Sequence, residues 1–357
     1  MKVPPLRYLY VNPAGQCNLA CKHCWIAPQR SETPFRTRER LESEFSADLF
    51  TSLLDQAVDL GLKNLKFTGG EPLLRADFPE LYIIASKHPG KLVIDIETNG
   101  TLVPDGLWSA FEEHPPRSVA VSLDSVNAFE HDEFRNTDGA WDRTLFFAKE
   151  LVKKEVNTQV IMSSVTYEVH PVLEMALFCQ EIGISSLKVN PVQPIGRAEM
   201  FSGQIRNIQK IIAFADEIHS KCEKSVNVDI PPAFVPLNRI QNTGWCPIHN
   251  LLGILPDGGI SFCGIGFSRA ELVMGNFTED SLRDIWSNAG LLRKIRIQLP
   301  DELEGICRNC IHSTRCLAKC VMQNYYSNGN FTSPYWMCQE AEDNGIFPET
   351  RKIRPDA

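Results

Sequence analysis

No apolar run in the sequence approaches the ~20 residues that a membrane-spanning helix requires, which excludes a helical span and points to a soluble protein. Its opening, MKVPPLRYLYVNPAG, lacks the unbroken apolar core of a signal peptide, because Pro4, Pro5 and Arg7 interrupt it. The expected location is therefore cytoplasmic. An excess of positive charge is also missing: the formal net charge is −8, which gives no general attraction to a nucleic-acid backbone. Neither nucleic acid nor membrane is expected as a partner. Solenoid-period repeats and low-complexity segments are absent too. What remains is an ordinary globular composition, 43% hydrophobic and 22% charged, in 357 residues that suit about two domains.

Cysteine, by contrast, is plentiful, with twelve in the chain. Without an export signal these thiols stay reduced, so they point to metal or redox work rather than to structural disulfides. Three of them, Cys17, Cys21 and Cys24, fall within AGQCNLACKHCWIAP, residues 14–28, and a fourth is missing. Three thiolates can each hold one iron of a [4Fe–4S] cluster and leave the fourth iron open. A structural zinc wants four ligands, usually from Cys-x2-Cys pairs, and here has only His23 to recruit. Spacing alone leaves both readings open.

Up to about residue 192, short β-branched runs alternate with helical-period segments, the pattern of an α/β fold. The expected strands are 6–11, 64–68, 92–97, 118–123, 158–165 and 186–190, near-continuous in apolar character and therefore parallel, in a curved partial barrel or a doubly wound sheet. Ser46 is the expected N-cap of a helix that carries Leu49, Leu53, Leu54, Ala57 and Leu60 on one face and stops at Gly61. The cysteines follow the first strand, TGGEP the second, ETNG the third, and SLDS ends the fourth. In parallel α/β folds ligands bind at the C-terminal ends of strands, so these four oddities converge on one rim. A further helix is expected from Gln204 to about Lys221. Beyond a boundary near residue 235 the chain turns loop-rich and holds Cys246, Cys263, Cys307, Cys310, Cys316, Cys320 and Cys338.

Cys17-x3-Cys21-x2-Cys24 after a first strand, with TGGEP after the second, resembles the radical S-adenosylmethionine (SAM) enzymes over the first ~190 residues. The resemblance implies that SAM's methionine part fills the open iron. One-electron reduction then breaks the C5′–S bond and gives a 5′-deoxyadenosyl radical that takes a hydrogen atom from substrate. It implies that Gly69 and Gly70 let the backbone approach SAM's methionine amine, with Glu71 nearby. Ser122 and Arg135 take the positions of contacts to the ribose and carboxylate, and Thr98 and Asn99 those of further ribose contacts. His23 falls where an aromatic commonly sits and is expected beside the adenine. Read without the family, the two glycines are a sharp turn and Arg135 is a surface partner of Asp132 or Glu133.

Cys307-x2-Cys310-x5-Cys316-x3-Cys320, with Cys338 beyond it and Cys246 and Gly258-x4-Cys263 before it, resembles the SPASM extension of these enzymes. By that family's interleaved pattern Cys307, Cys310, Cys316 and Cys338 would hold a second auxiliary cluster, and Cys246, Cys263 and Cys320 a first. Three [4Fe–4S] clusters result, the first auxiliary one with an open iron or a ligand such as His249. Cys179 and Cys222 sit at helical spacing among apolar residues and read as core, although one of them returning a hydrogen atom is the sharper possibility.

The expected architecture is thus a partial (β/α)6 parallel barrel, residues 1–200, then a helical linker, 201–235, a small cysteine-rich α+β domain, 236–345, and a tail, 346–357. The resemblance implies hydrogen abstraction from a ribosomally made peptide, with thioether or carbon–carbon cross-linking as its outcome. Formylglycine formation is less favoured, because Gly264 replaces the aspartate that the sulfatase-activating relatives carry. Peptide epimerisation, oxidation of an aminocyclitol or a tetrapyrrole side chain, and a non-enzymatic zinc scaffold are the alternatives. A flavodoxin or ferredoxin is the expected electron donor, the protein a monomer, and Gln193 and Arg197 belong to the polar lining.

Overall fold

The computed structural model describes residues 3–27, 29–30, 45–222, 225–242, 244–267 and 269–353, so the last four residues of the expected tail lie outside it. Six parallel strands follow one another across a sheet: β1 (Tyr8–Val11), β2 (Asn64–Phe67), β3 (Val93–Thr98), β4 (Ser118–Ser122), β5 (Thr158–Ser164) and β6 (Ser186–Pro191). These are the six expected from sequence. A short β7 (Val226–Val228) extends the β6 edge in the same direction.

Helices on the outer face bury the strands' apolar side chains: α1 (Ala47–Asp59), α2 (Phe78–Lys87) and α3 (Leu107–Glu113), then, after a short α4 (Ala128–Arg135) that buries His131 and Arg135 and packs on its successor, α5 (Ala140–Lys153), α6 (Val169–Glu181) and α7 (Ile208–Lys221). In α1 the Ser46 hydroxyl accepts from Leu49 N at 3.3 Å, the expected cap, and Gly61 ends the helix at a φ of +105°. The buried stripe is Phe50, Leu53, Leu54 and Ala57, whereas Leu49 is 38% exposed. Phe50 starts an i, i+3, i+4, i+7 stripe, and Leu49 lies about 100° around the helix from it. Helix α7 begins at Ile208 rather than at Gln204, because the Asn207 side chain caps it by accepting from Lys210 N at 2.9 Å. Ser202–Ile205 forms a separate turn.

The strands depart from the apolar expectation on one face. In β5 burial alternates strictly, and in β1, β2 and β6 it alternates as well. Tyr10, Lys66, Gln159, Lys188 and Asn190 occupy the partly exposed positions. A partial barrel carries its helices outside, and the polar positions mark its concave inner side.

The cysteine-rich segment joins the same sheet. Its strand β8 (Leu251–Ile254) pairs in parallel with β1, in register Tyr8↔Leu251 to Val11↔Ile254, and β9 (Gly259–Ser261) and β10 (Gly275–Asn276) continue the sheet antiparallel. One sheet therefore runs β10-β9-β8-β1-β2-β3-β4-β5-β6-β7 across the expected boundary at 235. Helix α8 (Leu282–Asn288) closes over α1, where Leu282 N donates to Gln56 Oε1 at 3.0 Å and the fully buried Trp286 donates its indole N–H to Pro4 O at 2.8 Å.

Gly253 of β8 makes this junction possible, since a Cβ there would stand 2.6 Å from Cys263 Cα. The neighbour is backbone and cannot swing away. Gly253→Ala is expected to destabilise the chain by about 1–3 kcal/mol as an overpacked contact, measured by chemical denaturation, and to displace Cys263.

Candidate active site at the strand rim

Cys17 and Cys21 are buried and Cys24 is half-buried on the loop that leaves β1. The loop is fixed by backbone contact with the TGGEP turn after β2. Glu71 N donates to Gln16 O at 3.1 Å, and a Cβ on Gly70 would stand 2.2 Å from the same oxygen. Gly69 takes a φ of +110° against the Asn12 side chain. The two glycines thus seat the cysteine loop itself, beyond any approach of a ligand.

Glu71 is 1% exposed and accepts from Thr98 Oγ1 at 2.6 Å, Asn99 N at 2.8 Å and Leu73 N at 3.0 Å. Burial pushes its carboxyl up to about 7 against the opposing pull of these donors. It is a positioning residue that holds the end of β3. Asn99, held in this way, donates to Asn18 Oδ1 at 3.0 Å and to Cys17 Sγ at 3.8 Å. Glu71, Thr98, Asn99 and Cys17 therefore form one connected group.

Arg135 is not the surface partner of Asp132 or Glu133. It is buried, donating through Nε to the buried Asp124 Oδ2 at 2.6 Å and through Nη1 to Cys21 Sγ at 3.6 Å. Burial alone would raise the Asp124 carboxyl, but Arg135 and the Ser163 N–H hold it below the usual carboxylate range. Ser122 ends β4 two residues ahead of Asp124. His23 stacks on Phe134 with ring centroids 4.4 Å apart, and burial together with the Arg135 charge lowers its imidazole to about 3. It is a neutral ring facing the same corner.

Sequence reasoning passed over three residues here. Arg75 is 1% exposed, pairs with Asp77 and donates to Pro13 O at 3.1 Å and Phe45 O at 3.2 Å, bracing the base of the cysteine loop. Asp124 orients Arg135. Asn12 is fully buried, donates to Ile254 O at 2.9 Å and turns its Oδ1 toward the glycine turn. A charged or amide side chain next to each motif was the available signal.

The later cysteines fall into two groups. Cys307, Cys310, Cys316 and Cys338 line one apolar pocket with Tyr335, Ala318 and His312. Cys263 and Cys320 both lie within electrostatic reach of Cys246, and Cys263 rests over Gly253, which pairs with Tyr10. His249 lies against Ile295 and Arg296 of α9 (Gly290–Gln298). Cys179 is buried in the helix-side core, and Cys222 packs against that core at the end of α7. Arg197 donates to Cys21 O at 2.8 Å, while Gln193 accepts from Trp336 Nε1 at 2.9 Å.

The donor set fits iron–sulfur ligation. Backbone N–H groups reach the sulfurs of Cys17 from Leu19 (3.4 Å), Cys310 from His312 (3.5 Å) and Cys316 from Lys319 (3.2 Å), the contacts that tune such clusters. Burial pushes the thiols of Cys17, Cys21, Cys246, Cys307, Cys316 and Cys338 up, a cost that ligation removes because a coordinating thiol gives up its proton. Among the described residues no three or more His, Cys, Asp or Glu side chains converge on a single ion.

Residues 11–176 match the radical SAM superfamily, and residues 246–311 match SPASM, an iron–sulfur cluster-binding domain. The AdoMet-dependent heme synthase of Oleidesulfovibrio alaskensis is 24% identical, over 94% of this chain and 87% of its own length. The mycofactocin maturase MftC of Mycobacterium tuberculosis is 22% identical, over 96% of this chain and 85% of its own. Among solved structures, Streptococcus suis SuiB bound to its precursor peptide SuiA superposes with a TM-score of 0.70 at 18% identity, covering 95% of this chain and 77% of SuiB.

Gly70→Ala is expected to push Gln16 and the adjoining Cys17 off the turn, so that anaerobically reconstituted protein loses about 4 iron per chain while the later cysteines keep theirs. Arg135→Met leaves Asp124 as an unpaired buried charge and is expected to cost about 3–5 kcal/mol of stability in chemical denaturation.

Proposed function

Because the chain is a radical SAM enzyme that carries a SPASM domain, we propose that it removes a hydrogen atom from a ribosomally made peptide and closes a thioether or carbon–carbon cross-link in it. Cys17, Cys21 and Cys24 would hold the cluster that receives SAM, with His23, Gly69, Gly70, Glu71, Thr98, Asn99, Ser122 and Arg135 around the cosubstrate. Cys307, Cys310, Cys316 and Cys338 would hold one auxiliary cluster, and Cys246, Cys263 and Cys320 another with an open iron, three in all. When bound and reduced by a flavodoxin or ferredoxin, cluster and SAM supply a 5′-deoxyadenosyl radical.

The chain's own part is placement. Glu71 fixes the end of β3 against the cysteine loop, and Asp124 holds Arg135 in one orientation, so its planar fork is preorganised for a carboxylate. The concave face supplies polar anchorage. Lys66 donates to Glu97 at 2.7 Å, Thr68 adds a bond at 3.0 Å, and the Lys66 ammonium holds the Glu97 carboxyl below its usual range although burial alone would raise it.

One contact carries the cross-linking reading. Trp25, next to Cys24 and 39% exposed, reaches across to Gly264, next to Cys263: its ring edge lies 3.2 Å from where a Cβ on Gly264 would stand. A substrate lying against Trp25 would meet the radical-forming loop and the auxiliary loop together. Similarity to SuiB and MftC, the first bound to a precursor peptide and the second named a maturase, supports the same substrate class. A tetrapyrrole side chain is the second reading, favoured by the similarity to heme synthases along nearly the whole chain.

The test is anaerobic. Reconstituted, reduced protein given SAM should form 5′-deoxyadenosine, read by mass spectrometry, and a variant with Cys17, Cys21 and Cys24 all changed to alanine should form none. Clusters and SAM both bound without that product, in the presence of a cysteine-containing precursor peptide and of an iron coproporphyrin in turn, would sink the radical reading. Loss of two hydrogens from the peptide selects cross-linking, and loss of carboxyl groups from the porphyrin selects the second reading.

A further inference from the structure

Between Cys316 and Cys320 the residues Leu317, Ala318 and Lys319 all take left-handed φ values, 50°, 56° and 60°. Side chains with a Cβ avoid that region, and three in succession persist only where the surroundings over-determine them. The turn aims Lys319 N–H at Cys316 Sγ, 3.2 Å away, and draws Cys320 N onto Ala318 O at 2.7 Å. Cys316 then faces the four-cysteine cavity while Cys320 joins Cys246 and Cys263. Lys319 stands at the division between the two groups.

Its side chain is 11% exposed, and its ammonium donates to Asp229, just past β7, and to Gly244 O at 3.5 Å. Asp229 is shared, because Lys188 Nζ also reaches it at 3.1 Å. Lys319 is the more buried of the two ammoniums that share this carboxylate, so further negative charge facing it is favourable. The ligand sulfurs of both groups provide that charge, since Lys319 lies within electrostatic reach of Cys316 and Cys338 on one side and of Cys320 and Cys246 on the other.

We propose that Lys319 is a fixed cation wedged between the two auxiliary clusters, where it raises the reduction potential of both and so sets how readily they take up an electron. The inference rests on the assignment of the seven later cysteines as cluster ligands. Reduction adds a negative charge to a cluster, and a cation held close by favours the reduced state.

The measurement is a redox titration followed by electron paramagnetic resonance, with iron and sulfide determined on the same samples, for wild type, Lys319→Met, Lys319→Arg and Asp229→Asn. Lys319→Met should retain about 12 iron per chain and make both auxiliary clusters harder to reduce, each by at least tenfold in the reduction equilibrium, or about 59 mV for a one-electron couple, with the SAM-site cluster unmoved. Lys319→Arg should restore the wild-type potentials, which a purely backbone role for the turn would not require. Should Lys319→Met fail to hold its iron, Asp229→Asn decides: loss of the acid should shift both auxiliary potentials upward, and unmoved potentials there overturn the proposal. Unmoved potentials in iron-loaded Lys319→Met overturn it as well while leaving the ligand assignment intact. A wild type with only about 4 iron per chain overturns the assignment and this inference together.

Discussion

Glu71 takes hydrogen bonds from Leu73, Thr98 and Asn99 through its side chain and gives one to Gln16 through its amide, so the turn after β2, the end of β3 and the cysteine loop meet at one buried residue. A carboxyl enclosed in this way carries a desolvation cost that only saturated oxygens can offset. The geometry around it is consequently narrow. Gly70 must lack a side chain for Gln16 to come close enough, and Asn99 must sit where its amide reaches Cys17. The rim has one arrangement of backbone that satisfies all of these groups at once.

Much of this was legible in the sequence. The six strands stand out because β-branched runs are short and evenly spaced, and the cysteine loop, TGGEP, ETNG and SLDS mark successive strand ends. Helix ends were legible where a capping side chain was recognised, as at Ser46, and misplaced at α7, which Asn207 caps a few residues beyond the expected start. The two faces of the sheet were not separable by eye. Lys66, Glu97, Lys188 and Asp229 lie in four different segments, and the parallel pairing of adjacent strands brings Lys66 to Glu97 and Lys188 to Asp229.

The same limit applied at the site. A motif names the residues that touch a ligand more readily than those that hold them, and Arg75, Asp124 and Asn12 hold. Each is buried and polar, yet its partners are backbone groups or charges far away in sequence, as with Asp124, which joins Arg135 to Ser163. The grouping of the later cysteines came from the spacing pattern of a family; in the structure Cys307, Cys310, Cys316 and Cys338 line one cavity. What spacing did not reveal is the left-handed turn from Leu317 to Lys319, since nothing in Leu-Ala-Lys announces a conformation usually left to glycine.

The pairing of β1 with β8 has a consequence for how the chain comes into being. Asn12 donates to the carbonyl of Ile254, a partner 242 positions further on, and the same two strands share a parallel ladder beside it. During synthesis the N-terminal strand therefore has an unpaired edge until nearly three quarters of the chain has emerged, and closing a contact of that separation is slow. An exposed parallel edge is a template for association with other chains. Covering the edge of the strand that leads into the first cysteine loop thus falls to a segment from the far end of the chain.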